Sequence, residues 1–353
     1  ADLFGASEGA PAYVECTHSV AIEKQPDFSL APGECAAIVT GGLLPQGADA
    51  VVMVEHTTAM EEEGKGTIEV RKTLAPGENV MQRGEDAQSG EPALQTGTLL
   101  RPQEIGLLAA LGQEEVRVHT RPRVGIISTG DELVEVKQKP RPGQVRDVNS
   151  ATLSALVGRA GGVSTRYGLV PDQEDALRTA LEIAVAENDV VLLSGGSSIG
   201  VRDLSLGVIE SLPESEILAH GVAMSPGKPV ILARAGDKAI WGLPGQVASA
   251  QVVMLVLGCP FLRYLAGNTN ALSRVMAHER PMVLARNIPS KQGREDWVRV
   301  RVFFQDGVET AEPVFGKSGL LRTLVNAQGM VRIPAGSEGL DQGDSVPVWL
   351  FGD

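Results

Sequence analysis

In the first third of the chain, short apolar runs at 36–39, 50–54 and 67–71 are separated by Pro-Gly and Gly-Ala clusters. That rhythm predicts a β-meander, because strands of a few residues need turn residues between them. The period then changes in LRPQEIGLLAALG at 100–112. Pro102 can open a helix there, Ile105, Leu108 and Ala109 fall on one face, and Gly112 can close it. The segment predicts a connector helix.

From Pro122 to about Leu265 the short β-branched runs RVGIIS, DVVLLS, KPVILA and KAIWGL are interleaved with helical stretches. Asn149 reads as the cap of a helix with Leu153, Leu156, Val157 and Ala160 on one stripe and Gly161 beyond its end. Leu177, Ala180, Leu181 and Ala184 repeat that spacing after Pro171-Asp172. Strands alternating with helices predict a parallel sheet covered on both faces. After about Asn268 the pattern returns to β. DWVRVRVFF alternates Val298, Val300 and Val302 with Arg299 and Arg301, and GDSVPVWLF closes the chain. A small closed sheet or barrel fits. No repeat of fixed period is visible.

Composition narrows the class. With 41 Gly and 21 Pro among 353 residues, the chain stays below the roughly 25–30% that marks low-complexity sequence. Its 43% hydrophobic residues can bury a core, and at about 150 residues per domain two or three domains are expected. A net charge of −13 argues against a general nucleic-acid binder, because phosphate backbones select for cationic faces. The longest uninterrupted apolar stretch, 252–257, is far shorter than the roughly 18 residues of a membrane span, so a soluble chain is expected. Cys16, Cys35 and Cys259 are odd in number and unrelated in spacing, which predicts no disulfide framework and a reducing cytoplasm. Because the chain starts at Ala1 rather than Met, the lack of a signal peptide carries little weight. His18, His56, His119, His220 and His278 form no HxxxH or H-x-E pair, so a histidine metal site has little support.

In an open parallel sheet, ligands sit beyond the carboxyl ends of the strands. Three apolar runs end in small, donor-rich loops at 128–132, 194–200 and 242–246. Such loops present backbone N–H groups to an oxyanion or phosphate, although each taken alone is also an ordinary tight βα turn. No GxGxxG is present, and GVAMSPGKP is not a Walker A loop. Gly196 to Gly200 does satisfy GxSxG, which would make Ser198 a nucleophile on an elbow. That hydrolase would need a downstream acid and histidine, and beyond His220 only His278 is available. Glu85, Asp86, Asp131, Glu132, Asp172 and Asp203 are hard oxygen donors suited to Mg²⁺ beside a phosphate. Each has a plainer reading: Asp172 and Asp203 as helix caps, Asp131 and Glu132 as first-turn acids. Lys228 is either a solvated edge lysine or an anion contact.

At these residues the sequence resembles the molybdopterin molybdenumtransferase family, the MoeA proteins and the gephyrin E domain. The resemblance rests on TGGLLPQGADAVVMVE (40–55), GENVMQRGED (77–86), STGDEL (128–133) and GQVRDVNS (143–150). It continues through GLVPD (168–172), LSGGSSIGVRD (193–203), HGVAMSPGKP (220–229) and GLPG (242–245). It implies a multidomain α/β plus β protein: a β-rich domain at 1–88, a connector with a helix at 89–121, a MogA-like parallel molybdopterin-binding α/β domain at 122–268 and a C-terminal β barrel at 269–353. It further implies an elongated homodimer with a site shared between chains.

The implied reaction inserts molybdate, or tungstate, into adenylated molybdopterin with Mg²⁺-dependent release of AMP, and it implies the molybdopterin adenylyltransferase as a partner. By motif, Thr40, Asp86, Glu132, Asp172 and Lys228 carry over as catalytic. Ser128, Thr129, Gly130, Asp131, Ser194, Gly195, Gly196, Ser197, Asp203, Pro244 and Gly245 carry over as ligand-binding, and Glu132, Asp172 and Asp203 as metal ligands. Departures from the pattern are Met81 and Gln82 where relatives often carry Arg, Ser225 where Lys is common, and Gln246-Val247 in place of Asn-Pro. The family's MDGYA segment would stand just before Ala1. A non-catalytic molybdopterin- or oxyanion-binding scaffold of the same fold is the alternative reading.

Overall fold

The computed structural model describes residues 2–60, 66–195, 199–273 and 279–352, with backbone alone at 199–203. The chain divides into two compact units, Ala1–Ala93 and Leu94–Asp353. In the first, β1 (Ala12–Val20), β2 (Glu34–Ile38), β3 (Thr57–Ala59) and β4 (Gly66–Val70) form one sheet in the order β2-β1-β4-β3. Val14, Cys16 and Val20 of β1 are buried while Tyr13 and Glu15 face out, the period of two that a one-sided sheet requires. A simple meander is not what forms. β1 and β2 run parallel, which the long connection at 21–33 permits and a tight turn would forbid. The apolar run at 50–54 is not a strand either: it is held by Val51 N–H on the Glu78 carbonyl at 3.1 Å and by Asn79 Nδ2 on the Val51 carbonyl at 2.7 Å.

The second unit opens with α1 (Pro102–Ala110), entered at Pro102 as the sequence predicts. Glu104 turns back onto the Arg101 backbone N–H at 2.9 Å and onto its guanidinium, which hold the Glu104 carboxyl down at about 2. The predicted apolar face is not buried within this unit: Ile105 is 56% exposed, and Glu104 is the buried residue of the helix.

Next come β5 (Arg123–Thr129), the short parallel pair β6 (Leu133–Val134) and β7 (Val145–Arg146), α2 (Asn149–Arg159), β8 (Val163–Val170), α3 (Glu174–Glu187), β9 (Val190–Gly195) and α4 (Ile199–Glu210). They are followed by β10 (Ser215–His220), β11 (Met224–Ser225), β12 (Ile231–Ala235), β13 (Lys238–Leu243), α5 (Val247–Val253), a π-helical turn (Met254–Gly258) and α6 (Cys259–Leu265). The main sheet has the order β10-β12-β13-β9-β5-β8. Its parallel part is β13, β9, β5 and β8. The expectation of a wholly parallel sheet fails at β12 and β10, which are antiparallel. Only Gly236-Asp237 separate β12 from β13, and two residues can make a hairpin but no crossover.

Alternate strand residues feed two cores. Val124, Ile126, Val190, Leu192 and Leu243 pack with α2, α5 and α6, whereas Ile127, Val191, Leu193 and Ile240 pack with α3 and α4. The continuous helix Val247–Leu265 is long and apolar enough to cross a membrane, but 67% of its most apolar window is buried inside the fold. Ser249, Gln251 and Gly258 interrupt the run that the sequence count follows.

The remaining elements are β14 (Glu279–Leu284), β15 (Ile288–Pro289), β16 (Glu295–Gln305), β17 (Val308–Pro313), α7 (Arg322–Val325), β18 (Gly329–Ile333), β19 (Gly339–Leu340) and β20 (Ser345–Leu350). The sheet β16-β17-β14-β20-β18 closes through β18 onto β16, making the expected barrel of five strands, and β11 adds to β16 in parallel. Met282, Leu284, Val300, Val331, Ile333 and Val348 fill it. β15 and β19 pair separately.

One backbone contact in the main sheet is testable. Gly195 has φ of 143°, and a Cβ there would stand 1.9 Å from the Thr129 carbonyl oxygen across the strand pair. Gly195→Ala is expected to lose more than about 1 kcal/mol of stability in urea unfolding, with little change in far-UV circular dichroism.

Candidate functional site

The carboxyl ends of the parallel strands finish in register. Ser128 lies opposite Ser194 and Leu169, Thr129 opposite Gly195 and Val170, and Leu243 opposite Ser194. Alternation carries Ser128 and Ser194 onto the α2 face and Thr129 onto the α3 face. Serine hydroxyls therefore cap one core and a threonine the other. Ser128, Thr129 and Ser194 are each 1% exposed.

On the α2 face, Asn149 Nδ2 donates to Ser194 Oγ and to the Gly245 carbonyl, both at 2.8 Å. Asn149 is thus not the helix cap that the sequence predicts. Val148 occupies the N-cap position and makes no side-chain capping bond, and Asp147 just before it supplies that bond instead, its Oδ1 accepting from the Ser150 backbone N–H at 3.0 Å. Among the described residues Ser128 Oγ and Asn149 Oδ1 are buried and have no hydrogen-bond partner. Such orphaned atoms are uncommon in folded proteins and call for a reason.

On the α3 face, Thr129 Oγ1 donates to Asp172 Oδ1 at 2.5 Å, and the Asp172 backbone N–H donates to Asp131 Oδ1 at 3.3 Å. Gln173, not Asp172, occupies the N-cap position of α3, so the capping reading of Asp172 is overturned. Asp131 and Glu132 precede the short strand β6 rather than a helix, which removes the first-turn reading as well. The Glu132 carboxylate folds over Gly130, where a Cβ would stand 2.9 Å from Oε2. Asp131, Glu132 and Asp172 thus supply carboxylate oxygens at the ends of β5 and β8. No cluster of three or more His, Cys, Asp or Glu side chains spaced for a metal occurs among the described residues. Asp203 sits on the backbone of α4; its side chain, together with Gly196, Ser197, Ser198 and His278, lies outside the described residues.

The third loop, with Pro244 buried, leads into α5. There the Ala248 N–H donates to the Ser318 carbonyl at 2.9 Å, joining α5 to the barrel loop between β17 and α7. Arg299 Nη2 reaches the Gly316 carbonyl of the same loop at 3.2 Å. The Arg299 side chain is buried, its Nε and Nη1 have no partner among the described residues, and burial lowers its pKa. The sequence pattern misses this residue, since alternation with Val298 and Val300 turns it outward. Its one signal is a cation inside a run that also holds Trp297 and Val300, both buried.

Lys228 is exposed and follows Gly227, which packs against Val253 of α5 so closely that a Cβ would lie 2.5 Å from Cγ2. No ion pair of Lys228 occurs among the described residues. Thr40 and Asp86 lie on exposed turns of the first unit.

Family comparisons cover nearly the whole chain. Residues 1–112 match the MoeA N-terminal region (domain I and II), 125–264 the "Probable molybdopterin binding domain", and 281–351 the MoeA C-terminal region (domain IV). The molybdopterin molybdenumtransferase of Bacillus subtilis is 32% identical over 99% of this chain and 80% of its own length. The protein of the same name from a Nostoc species is 32% identical over 98% and 79%. The crystal structure of the molybdopterin biosynthesis MoeA protein from Pyrococcus horikoshii OT3 superposes with a TM-score of 0.78 at 30% identity, covering 99% of this chain and 84% of that one. These relatives favour neither the hydrolase nor the scaffold reading.

The reassigned caps give a test. Asp147→Ala is expected to cost about 0.5–2 kcal/mol, the usual loss for a helix cap. Asp172→Asn, which keeps an acceptor for Thr129, is expected to stay within about 0.5 kcal/mol of the parent; thermal unfolding of the two variants compares them directly.

Proposed function

The chain belongs to the MoeA family, the molybdopterin molybdenumtransferases of molybdenum cofactor biosynthesis, and we propose that it inserts molybdate into adenylated molybdopterin with release of AMP. The observation that carries this reading is the division of labour at the strand ends: buried hydroxyls and an amide on the α2 face, carboxylates on the α3 face. A ligand joining a pterin to two linked phosphates needs both kinds of group. The orphaned Ser128 Oγ and Asn149 Oδ1 fit a site for such a polar ligand.

Asp131, Glu132 and Asp172 offer the hard carboxylate oxygens that Mg²⁺ takes, but among the described residues they are not gathered into a metal cluster by themselves, so we propose that the ion binds together with the substrate phosphates. These residues, with Asp203, would hold the ion, which supplies charge neutralisation at the phosphoanhydride. Thr129 holds one oxygen of Asp172, Oδ1, by its hydroxyl. Molybdate or tungstate is an oxyanion, and Lys228 and the buried Arg299 are the cations we assign to it. A guanidinium of low solvation whose Nε and Nη1 have no partner among the described residues suits an oxyanion, which it would hold through charge-assisted hydrogen bonds.

A homodimer is part of the proposal, with Thr40 and Asp86 of one chain facing the α/β domain of its partner. Its support is apolar surface that the single chain leaves open: Ile105 at 56%, Leu111 at 42% and Val118 at 66% exposure along the connector, and Val54 at 76% and Met81 at 83% in the first unit. Large apolar side chains left this exposed, in each of the two units, are the kind of surface that association covers. The adenylated substrate would come from the molybdopterin adenylyltransferase, in the cytoplasm.

Two measurements test the reading. Purified protein given adenylated molybdopterin, molybdate and Mg²⁺ is expected to release AMP, and Glu132→Ala or Asp172→Ala to slow that release by about 10²-fold or more while remaining folded. Failure of the parent to release AMP would sink the catalytic reading. Sedimentation velocity at micromolar concentration is expected to give a dimer, and a monomer would refute the shared site.

A further inference from the structure

We infer that Asn149 is a positioning residue, whose amide ties the carboxyl end of β9 to the turn after β13 so that this strand end and this turn keep one spacing beside the substrate. The inference rests on the functional reading above and adds a residue to it. Asn149 is the first residue of α2 and is only 8% exposed. Its NH₂ group reaches acceptors on a strand end and on a turn that are 45 and 96 residues away in sequence, Ser194 Oγ and the Gly245 carbonyl, each at 2.8 Å.

The orientation of the amide is fixed by chemistry. A backbone carbonyl only accepts, so the nitrogen end must face Gly245. The opposite end, Oδ1, is then left buried with no partner among the described residues. A side chain chosen for stability alone would not leave a buried acceptor unpaired, and the capping role open to an asparagine at this position is taken by Asp147. What Asn149 supplies is two donors on one rigid amide. Ser194, accepting from that amide, is constrained to direct its own hydroxyl hydrogen elsewhere. Asn149 thus sets both the spacing between the end of β9 and the turn after β13 and the polarity of a hydroxyl at the site.

Asn149→Asp keeps the shape but removes both donors and sets a carboxylate against the Gly245 carbonyl. The KM for adenylated molybdopterin is expected to rise about tenfold or more, with a smaller change in kcat. Lowering the pH protonates the new carboxyl and restores one donor, so the ratio of variant to parent kcat/KM should recover as pH falls. Asp147, bonded to the Ser150 N–H at the start of α2, and the chain's other carboxylates are present in both proteins, so the ratio isolates the new carboxyl.

Ser194→Ala, which spares the Gly245 contact, provides a second measurement: it should raise KM roughly fivefold, and the double variant should fall short of the product of the two effects. A ratio independent of pH, or effects that multiply fully, would show that Asn149 only fills space. If the parent itself releases no AMP, the functional reading fails instead. The latch is then read from titrations of molybdopterin itself, where the same pH recovery in affinity supports it and its absence overturns it.

Discussion

Everything at the candidate site depends on how closely two backbones approach at the carboxyl ends of β5 and β9. The register sets Thr129 opposite Gly195, and the Thr129 carbonyl occupies the space where any other residue at 195 would carry its Cβ. This contact brings Ser128 level with Ser194, so Asn149 can bridge from Ser194 to Gly245. It also turns Thr129 toward β8, where its hydroxyl meets Asp172. Two chemically different surfaces, one of neutral donors and acceptors at β5, β9 and β13 and one of carboxylates at β5 and β8, are thus built at the carboxyl edge of one sheet.

The barrel contributes something that the α/β domain lacks. A buried guanidinium is expensive to desolvate, and Arg299 has a single carbonyl partner among the described residues. Its loop is anchored to α5 through Ser318 and Ala248, while Trp297 and Met330 join the core beneath α5 and α6. The barrel and the α/β domain are therefore held in fixed relation by packing, and the cation is carried on the rigid strand β16 rather than on a mobile loop.

Most of this architecture was legible in the chain. The runs RVGIIS, DVVLLS and KAIWGL are apolar because strands covered on both faces must be, and they became β5, β9 and β13. The edge strands were not legible: β8, with Thr165, Arg166 and Gly168 exposed, and β10, with every second residue exposed, have little to bury. Local patterns also misassigned Asn149 and Asp172. A polar residue at a helix start looks like a cap, and the partners that claim these two side chains lie 43 to 96 residues away. Arg299 escaped for a related reason, since a period of two cannot distinguish an outward arginine from one enclosed by a neighbouring loop. The family motifs marked the loops at 128–132, 194–200 and 242–246 as a group, but not which side chains within them bond to one another.

The long apolar helix formed by α5, the π-helical turn and α6 bears on how the chain is made. A ribosome releases it only after β5, β8, β9 and β13 and helix α2 have emerged, so the sheet face that covers it can already be assembled. Domains fold largely as units during synthesis, and exposed apolar segments are the ones that aggregate. Chain order thus works as a safeguard: the segment most prone to stick to other molecules is the last part of its domain to leave the tunnel. A circular permutant that began at α5 would lose this protection while keeping every native contact.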